Sequence, residues 1–448
     1  MLGSVTVGLY GKSPANEDLE MAKKAYDEND FEKALRYLIF GFEKDNANKL
    51  LYDLTMKCLD ELGAEDEVEL FNNAIKNFKD GSEFYNLGYY YVSNGSYRLA
   101  IPFLQRANKL LPQDNDIALE LAIALTAHYR PREAQEILEK LEDAGEFWVA
   151  YQYLWCSLLL NKRKGIKEFI AFAEKQFNAD QGQDEDEIEE YTIALDKLQQ
   201  CYDRLCLMDN LKNKPQSPIQ QWQFVQYGGA ILDYFEETTV AGGRYVALVG
   251  QYSRVHLILK KLVSMLDGLN RKPLMVISLE DRNSVILGKT LSRMLNVEFQ
   301  LIDEENIGYN DGLIVASSAN EFCYCEDIDF SGITKNQTVF AFNLNWLSDC
   351  CTAPDIAGMM TQSYFFPWES IGVNFNVDSE EGENPQPEKG DDEIVNEILS
   401  EKVEIGEEFK EILKFYLEVK DYLKGGEQAG KKRLPFNTDS PVEGAYFC

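Results

Sequence analysis

GSEFYNLGYYYVSNGSYRLAIPFLQRANKLLPQD, residues 81–114, decides the reading of this chain. Its large and small residues recur at helical spacing on either side of a break. Phe84, Leu87 and Tyr91 put bulk on one face of a first helix, with Gly88 as the small residue among them. Gly95 marks the break. Tyr97, Ala100, Leu104 and Ala107 repeat the pattern in a second helix, and Pro112 closes it. One helix pair cannot bury its apolar face alone, so the spacing predicts a stack of similar units.

The register continues in both directions. Ala22, Ala25, Tyr26, Phe31, Ala34 and Leu38 give a unit at about 15–48. Residues 49–80 give a poorer one: Tyr52, Leu59, Val68 and Ile75 fit, but Met56 stands where a small residue is expected. Ala118, Leu121, Ala122, Leu125, Pro131, Ala134, Leu138 and Leu141 extend the stack over 115–148. Tyr151, Leu154, Trp155, Leu158, Ile166 and Ile170 make a degenerate fifth unit, where Trp155 at a small-residue position predicts an end or a bend. Helical spacing resumes over 185–210, through Ile188, Tyr191, Leu195, Leu198, Tyr202 and Leu205, and over 218–237. These segments would cap the open end of the stack.

On these residues, about 15–170 resembles the tetratricopeptide (TPR) repeat superfamily, most fully at 81–114. The resemblance implies a solenoid whose first helices line a concave, protein-binding groove. The positions it assigns to that groove are Leu19, Lys23, Tyr26 and Asp27, then Ser82, Tyr85, Tyr89, Val92 and Ser93, then Asp116, Leu119, Ile123, Thr126 and Ala127. The family's clamp for a C-terminal carboxylate uses Lys, Asn and Arg there, and only Lys23 fits. An aromatic and aliphatic groove suits an apolar helix or extended segment. The candidate partner-binding residues are Tyr26, Tyr85, Tyr89, Val92, Leu119 and Ile123; the same side chains would also serve as packing between repeats.

The pattern changes after Gly242-Gly243. YVALV at 245–249, LMVISL at 274–279, and strands at 298–302, 313–317 and 338–344 alternate with helices at 253–266 and 283–295. This predicts a small Rossmann-like or flavodoxin-like domain with a mainly parallel sheet covered on both faces. Ligands of such sheets lie outside the carboxyl ends of the strands. Those ends carry Gly250, Ser253 and Arg254; Glu280, Asp281, Arg282 and Asn283; Ser317, Ser318 and Asn320; and Asn343 and Asn345. Arginines, hydroxyls and helix starts there would hold a small phosphorylated ligand. Asp281 and Asn283 serve equally well as helix caps, and neither GxGxxG after the first strand nor GxxxxGK[ST] is present. Residues 274–302 loosely resemble a phosphoribosyltransferase core. That family follows a later strand with paired acids and a Thr-Gly loop, whereas this chain has VASSANEF at 315–322. The departure removes the catalytic signature.

Beyond Trp368 the chain turns polar. An acidic stretch at 378–393 reads as a linker. Ile405, Phe409, Ile412, Leu413, Tyr416, Val419, Tyr422 and Leu423 then restore helical spacing. This last helix either completes the α/β core or docks into the groove of the repeats.

With 448 residues, 45% hydrophobic and 12% aromatic, the chain can fill two or three cores. Its 76 acids against 44 bases, net −32, oppose nucleic acid and anionic membrane as partners, since phosphate contacts need Lys and Arg. His128 and His256 alone build no histidine metal site or triad. The nine cysteines show no framework, and Cys323, Cys325, Cys350 and Cys351 follow no zinc spacing. The start lacks a secretory pattern, and the longest apolar run, Trp148 to Leu160, is too short to span a bilayer.

The expectation is therefore a cytoplasmic multidomain protein: an all-α TPR-like solenoid over 1–240, an α/β domain over 241–375, and an acidic linker, amphipathic helix and tail over 376–448. It is expected to be a noncatalytic scaffold for a protein or peptide partner, with no cofactor and no metal. The alternative is a ligand sensor or enzyme whose α/β domain binds a phosphorylated metabolite or nucleotide while the repeats recruit a target. A third reading makes the α/β domain only a cap.

Overall fold

The structure, a computed structural model, describes residues 13–423 except 129, 142–145, 180–184, 216, 234–244, 326–327, 335, 346–352 and 370–388. The chain is multidomain, with two compact units, Met1–Leu198 and Gln199–Cys448.

The first unit is a run of helix pairs: α1 (Asn16–Asp27) with α2 (Phe31–Lys44), α3 (Lys49–Glu61) with α4 (Glu65–Lys76), α5 (Gly81–Ser93) with α6 (Tyr97–Leu110), α7 (Asn115–Ala127) with α8 (Pro131–Leu138), and α9 (Phe147–Leu159) with α10 (Ile166–Ala179). Asn48, Asp80 and Asp114 start α3, α5 and α7 by accepting from backbone N–H groups that no carbonyl of the helix can reach. The turn inside a pair needs one left-handed residue, and Asn29, Gly63, Gly95 and Asn161 supply it at φ between 60° and 74°. Gly88 lets α5 and α6 close: a Cβ there would lie 2.5 Å from Cγ of Leu104.

Aromatic rings knit the first three pairs. Tyr52 is fully buried among Phe42, Phe71, Phe78, Phe84 and Phe103, with ring centroids 4.8–6.0 Å away, and its hydroxyl donates to the Asn46 carbonyl at 2.9 Å. The poorer second repeat thus keeps the same two-helix form, and Met56 packs half-buried on the core. At the other end Trp155 is buried. Tyr151 stacks on it at 6.4 Å and Lys197, from α11 (Glu185–Asn210), sits 4.7 Å over its ring. Tyr191 of α11 meets Phe147 at 4.3 Å and Trp148 at 5.4 Å. The first half of α11 therefore covers the last pair, as the open end of a stack requires.

The second unit is built on a parallel sheet: β1 (Ala230–Ile231), β2 (Tyr245–Val249), β3 (Met275–Ser278), β4 (Glu298–Leu301), β5 (Gly312–Ser318), β6 (Thr338–Leu344) and β7 (Ile356–Phe365). The order is β4-β3-β5-β6-β7, and β1 and β2 share the far edge of β7. β1 pairs its start at Ile356 and Ala357, and β2 its end from Thr361 to Phe365. The chain direction along the sheet reverses at β3, so the switch point lies between β3 and β5.

α13 (Tyr252–Gly268) and α14 (Arg282–Leu295) pack on the sheet, and α15 (Asp391–Ser400) and α16 (Glu407–Glu418) pack on them. α12 (Pro218–Tyr227) joins through Ile219 a second apolar cluster, formed with Ile277, Ile314, Val339 and Phe322. Short 3-10 turns, Ala319–Tyr324 and Phe330–Gly332, lie between β5 and β6.

Several boundaries differ from the sequence reading. The helix expected over 218–237 stops at Tyr227, because Gly228 turns left-handed at φ 62° and the chain enters β1. β7 was missed: its IAGMMTQSYF run mixes Gly, Met and Gln into what is a sheet strand. Of the acidic stretch 378–393, residues 378–388 lie outside the described residues, while Asp391 already starts α15, which buries Ile394, Val395 and Ile398. The last helix packs within this unit. Phe415 meets Phe224 at 5.4 Å, and Tyr416, fully buried, accepts the Ile231 N–H at 3.0 Å. Each such buried ring contributes about 1.5–3 kcal/mol. The domain change expected near 240 falls in 234–244, outside the described residues, and α12 and β1 belong to the second unit.

Candidate functional site

In the first unit the first helices of successive pairs adjoin: α1 touches α3, α5 touches α7, and α7 touches α9. On α5, one turn apart, Tyr85 and Tyr89 stack at 5.8 Å with ring planes 28° apart. Tyr89 is 48% exposed and Tyr85 half-buried. Burial pushes the Tyr85 phenol up to about 12, helped by Glu120, Asp116, Tyr89 and Asp114. Glu120, on α7, has its own carboxyl raised by burial and by Asp116. Among the described residues no lysine or arginine is paired with Glu120.

The other assigned residues fall into two groups. Val92 and Leu119 are half-buried against the core, and Ile123 is half-buried on α7. Tyr26 lies half-buried on α1, edge-on to Phe31 at 5.4 Å; burial and the charges of Glu61, Cys58, Asp60 and Asp27 raise its phenol. Two groove positions taken from the resemblance are core instead. Leu19 is 2% exposed, and Thr126 at 6% donates to the Ala122 carbonyl and accepts from Gln152. Lys23 is paired with Glu20. The residue that the sequence reading missed is Glu120, one helical turn from Asp116 on α7, and no sequence signal marks it.

In the second unit the strand-end residues do not form one site. Asp281 caps α14 by accepting from Ser284 N–H and takes the Ser317 hydroxyl at 2.9 Å. Ser317 N–H donates to Ser284 Oγ, and Ser318 caps the turn that holds Asn320. Arg282 is held by Asp391 and by the Lys389 carbonyl, and Asn283 bridges Glu369 and the Trp368 indole N–H. Arg254 pairs with Asp233, which also takes Lys261 at 2.7 Å. Gly250 leaves room for the Tyr364 hydroxyl, and Ser253 lies half-buried beside it in α13.

A cleft of about 260 Å³ does open at the switch point, lined by Glu280, Asp281, Ile302, Glu321, Tyr324, Cys325 and Ile328. Burial and Asp281 raise the Glu321 carboxyl. Burial, Asp281, Glu280 and Glu321 raise the Cys325 thiol. Its lining holds three carboxylates and no cation, the reverse of a phosphate cradle.

Among the described residues there is no group of acids, histidines or cysteines arranged to hold a metal ion, and no helix is long and apolar enough to cross a membrane. Cys323 is exposed and Cys325 half-buried, while Cys350 and Cys351 lie outside the described residues.

No protein-family model matches the chain, and no curated protein matches it. Among solved structures, it is similar to a purine phosphoribosyltransferase from Pyrococcus horikoshii Ot3, at 15% identity and TM-score 0.24, over 28% of this chain and 97% of that one. It is also similar to YrrB, described as a TPR protein with an unusual peptide-binding site, at 20% identity and TM-score 0.22, over 36% of this chain and 84% of that one. Scores this low leave the functional reading to the residues themselves.

Proposed function

We propose that this chain is a noncatalytic scaffold or adaptor that binds a protein segment along the first helices of its TPR-like repeats. The observation that carries it is the Tyr85–Tyr89 stack, with Tyr89 nearly half exposed beside the half-buried Tyr85. An aromatic pair held rigid in advance loses little entropy on binding, which is why tyrosines dominate many interfaces. A cytoplasmic setting fits thiols such as Cys58 and Cys156 that stand outside any disulfide.

The test compares proteins that co-purify with the full chain and with its Tyr85→Ala/Tyr89→Ala variant. Truncating one exposed and one half-buried ring costs about 1–2 kcal/mol, so the variant stays folded by circular dichroism. It is expected to lose the co-purifying protein. An unchanged set of bound proteins, from a variant with an unchanged spectrum, overturns the reading.

The ligand-sensor alternative meets an acidic cleft and arginines already paired. Thermal-shift measurements with ATP and ribose 5-phosphate are expected to show no rise in melting temperature. A concentration-dependent rise, the signature of a ligand that binds only the folded state, would favour the sensor instead.

A further inference from the structure

We propose that the α5–α7 part of the groove recognises a basic segment of its partner, with a Lys or Arg side chain laid on the Tyr85–Tyr89 stack and paired with Glu120 and Asp116. This rests on the groove reading above and adds the chemistry of the occupant.

The argument starts from the carboxylates. Glu120 is half-buried on α7, near enough to Tyr85 for its charge to act on that phenol, and no protein cation is paired with it or with Asp116 among the described residues. Asp114 is committed to capping α7, so it offers the partner no free geometry. A half-buried carboxylate without a partner is a cost to the free chain. An apolar segment lying across it would strip away the remaining water and give nothing back. A cation supplies the missing charge and gains from the ring faces, since lysine and arginine are drawn to the negative face of an aromatic ring. The same molecule shows this arrangement internally: Lys197 lies 4.7 Å over Trp155 and Arg98 5.1 Å over Phe40, the latter also paired with Glu43.

Other occupants fail on charge. A nucleic acid or an acidic peptide meets carboxylates, and a second copy of this chain brings another net −32. For a basic segment that net charge works in favour, because long-range attraction raises the rate of encounter. The expected occupant alternates Lys or Arg with apolar residues, the latter meeting Val92, Leu119 and Ile123.

Selection of a random dodecapeptide display library on the full chain tests this. The selected peptides are expected to be rich in Lys and Arg relative to the input library. By fluorescence anisotropy, Tyr89→Ala and the double variant Asp116→Asn/Glu120→Gln should each weaken a selected peptide about tenfold, as should replacing the peptide's Lys residues by Glu. The peptide replacement needs no change to the protein, so it holds even where a variant fails to fold. Peptides without excess Lys or Arg that still lose binding on Tyr89→Ala overturn the charge inference and leave the groove reading standing. Peptides indifferent to Tyr89→Ala, or a selection that enriches nothing, overturn both.

Discussion

At the residue scale the repeats depend on a few positions where size or backbone angle admits no freedom. Gly88 is one: a methyl group there would fall 2.5 Å from Leu104 Cγ and 3.2 Å from its backbone nitrogen. Gly88→Ala should destabilise the first unit by about 1–3 kcal/mol, measured by urea unfolding, because the close-packed helices must part. An unchanged midpoint would mean that Leu104 simply rotates away. His128 is another. Burial, with Arg130 and Arg98, lowers its pKa from 6.5 to about 4. The unfolded chain therefore binds a proton that the folded chain refuses between those values, so stability is lost as pH falls through that window. His128→Gln should flatten this slope, by about 1–3 kcal/mol between about pH 7 and about pH 4.5.

Such residues are also where the sequence was most readable. Gly88 and Gly95 stand out because only a small side chain, or one tolerant of positive φ, fits the turn and the crossing. Asn29 and Asn161 perform the same turn as Gly95 but carry a weaker signal, because Asn also serves as a cap or a surface residue. Glu120 was invisible: nothing in a single acid on a helix says whether it faces water or a tyrosine pair. Leu19 and Thr126 were placed in the groove by register alone, and packing put them inside.

At the scale of elements, long periodic helices and β-branched strands were legible, whereas short or compositionally mixed ones were not. β6, TVFAFNL, declares itself; β7 needs its neighbours, since only pairing with β6, β1 and β2 makes a strand of it. α15 is ten residues long and follows an acidic stretch, so its three buried aliphatics, just past the linker read over 378–393, were assigned to no helix. The last helix, α16, is joined to the sheet through Tyr416, whose hydroxyl accepts the Ile231 N–H and donates to the Ile231 carbonyl at 3.4 Å, contacts that propensity cannot foresee. Tyr416→Phe would leave the buried Ile231 N–H without its 3.0 Å acceptor. It should cost about 1–3 kcal/mol in the second unit, read by hydrogen exchange at Ile231 or by urea unfolding. No change would place the stabilisation in the ring alone.

For the whole molecule, charge is the governing quantity. At net −32 the chain repels itself, and salt screens that repulsion. Raising the ionic strength from about 0.05 M to about 0.5 M should therefore raise the melting temperature while weakening a basic partner. The opposite signs separate self-repulsion from recognition. The two units divide the work in this account: the repeats present the tyrosine pair, and the sheet unit has its strand-end arginines and amides tied into its own structure. Amide hydrogen exchange of the full chain, with and without a protein that co-purifies with it, tests the groove most directly. Slower exchange is predicted in α5 and α7 when the partner is bound; slowing confined to α13 and α14, with α5 and α7 unchanged, would contradict it.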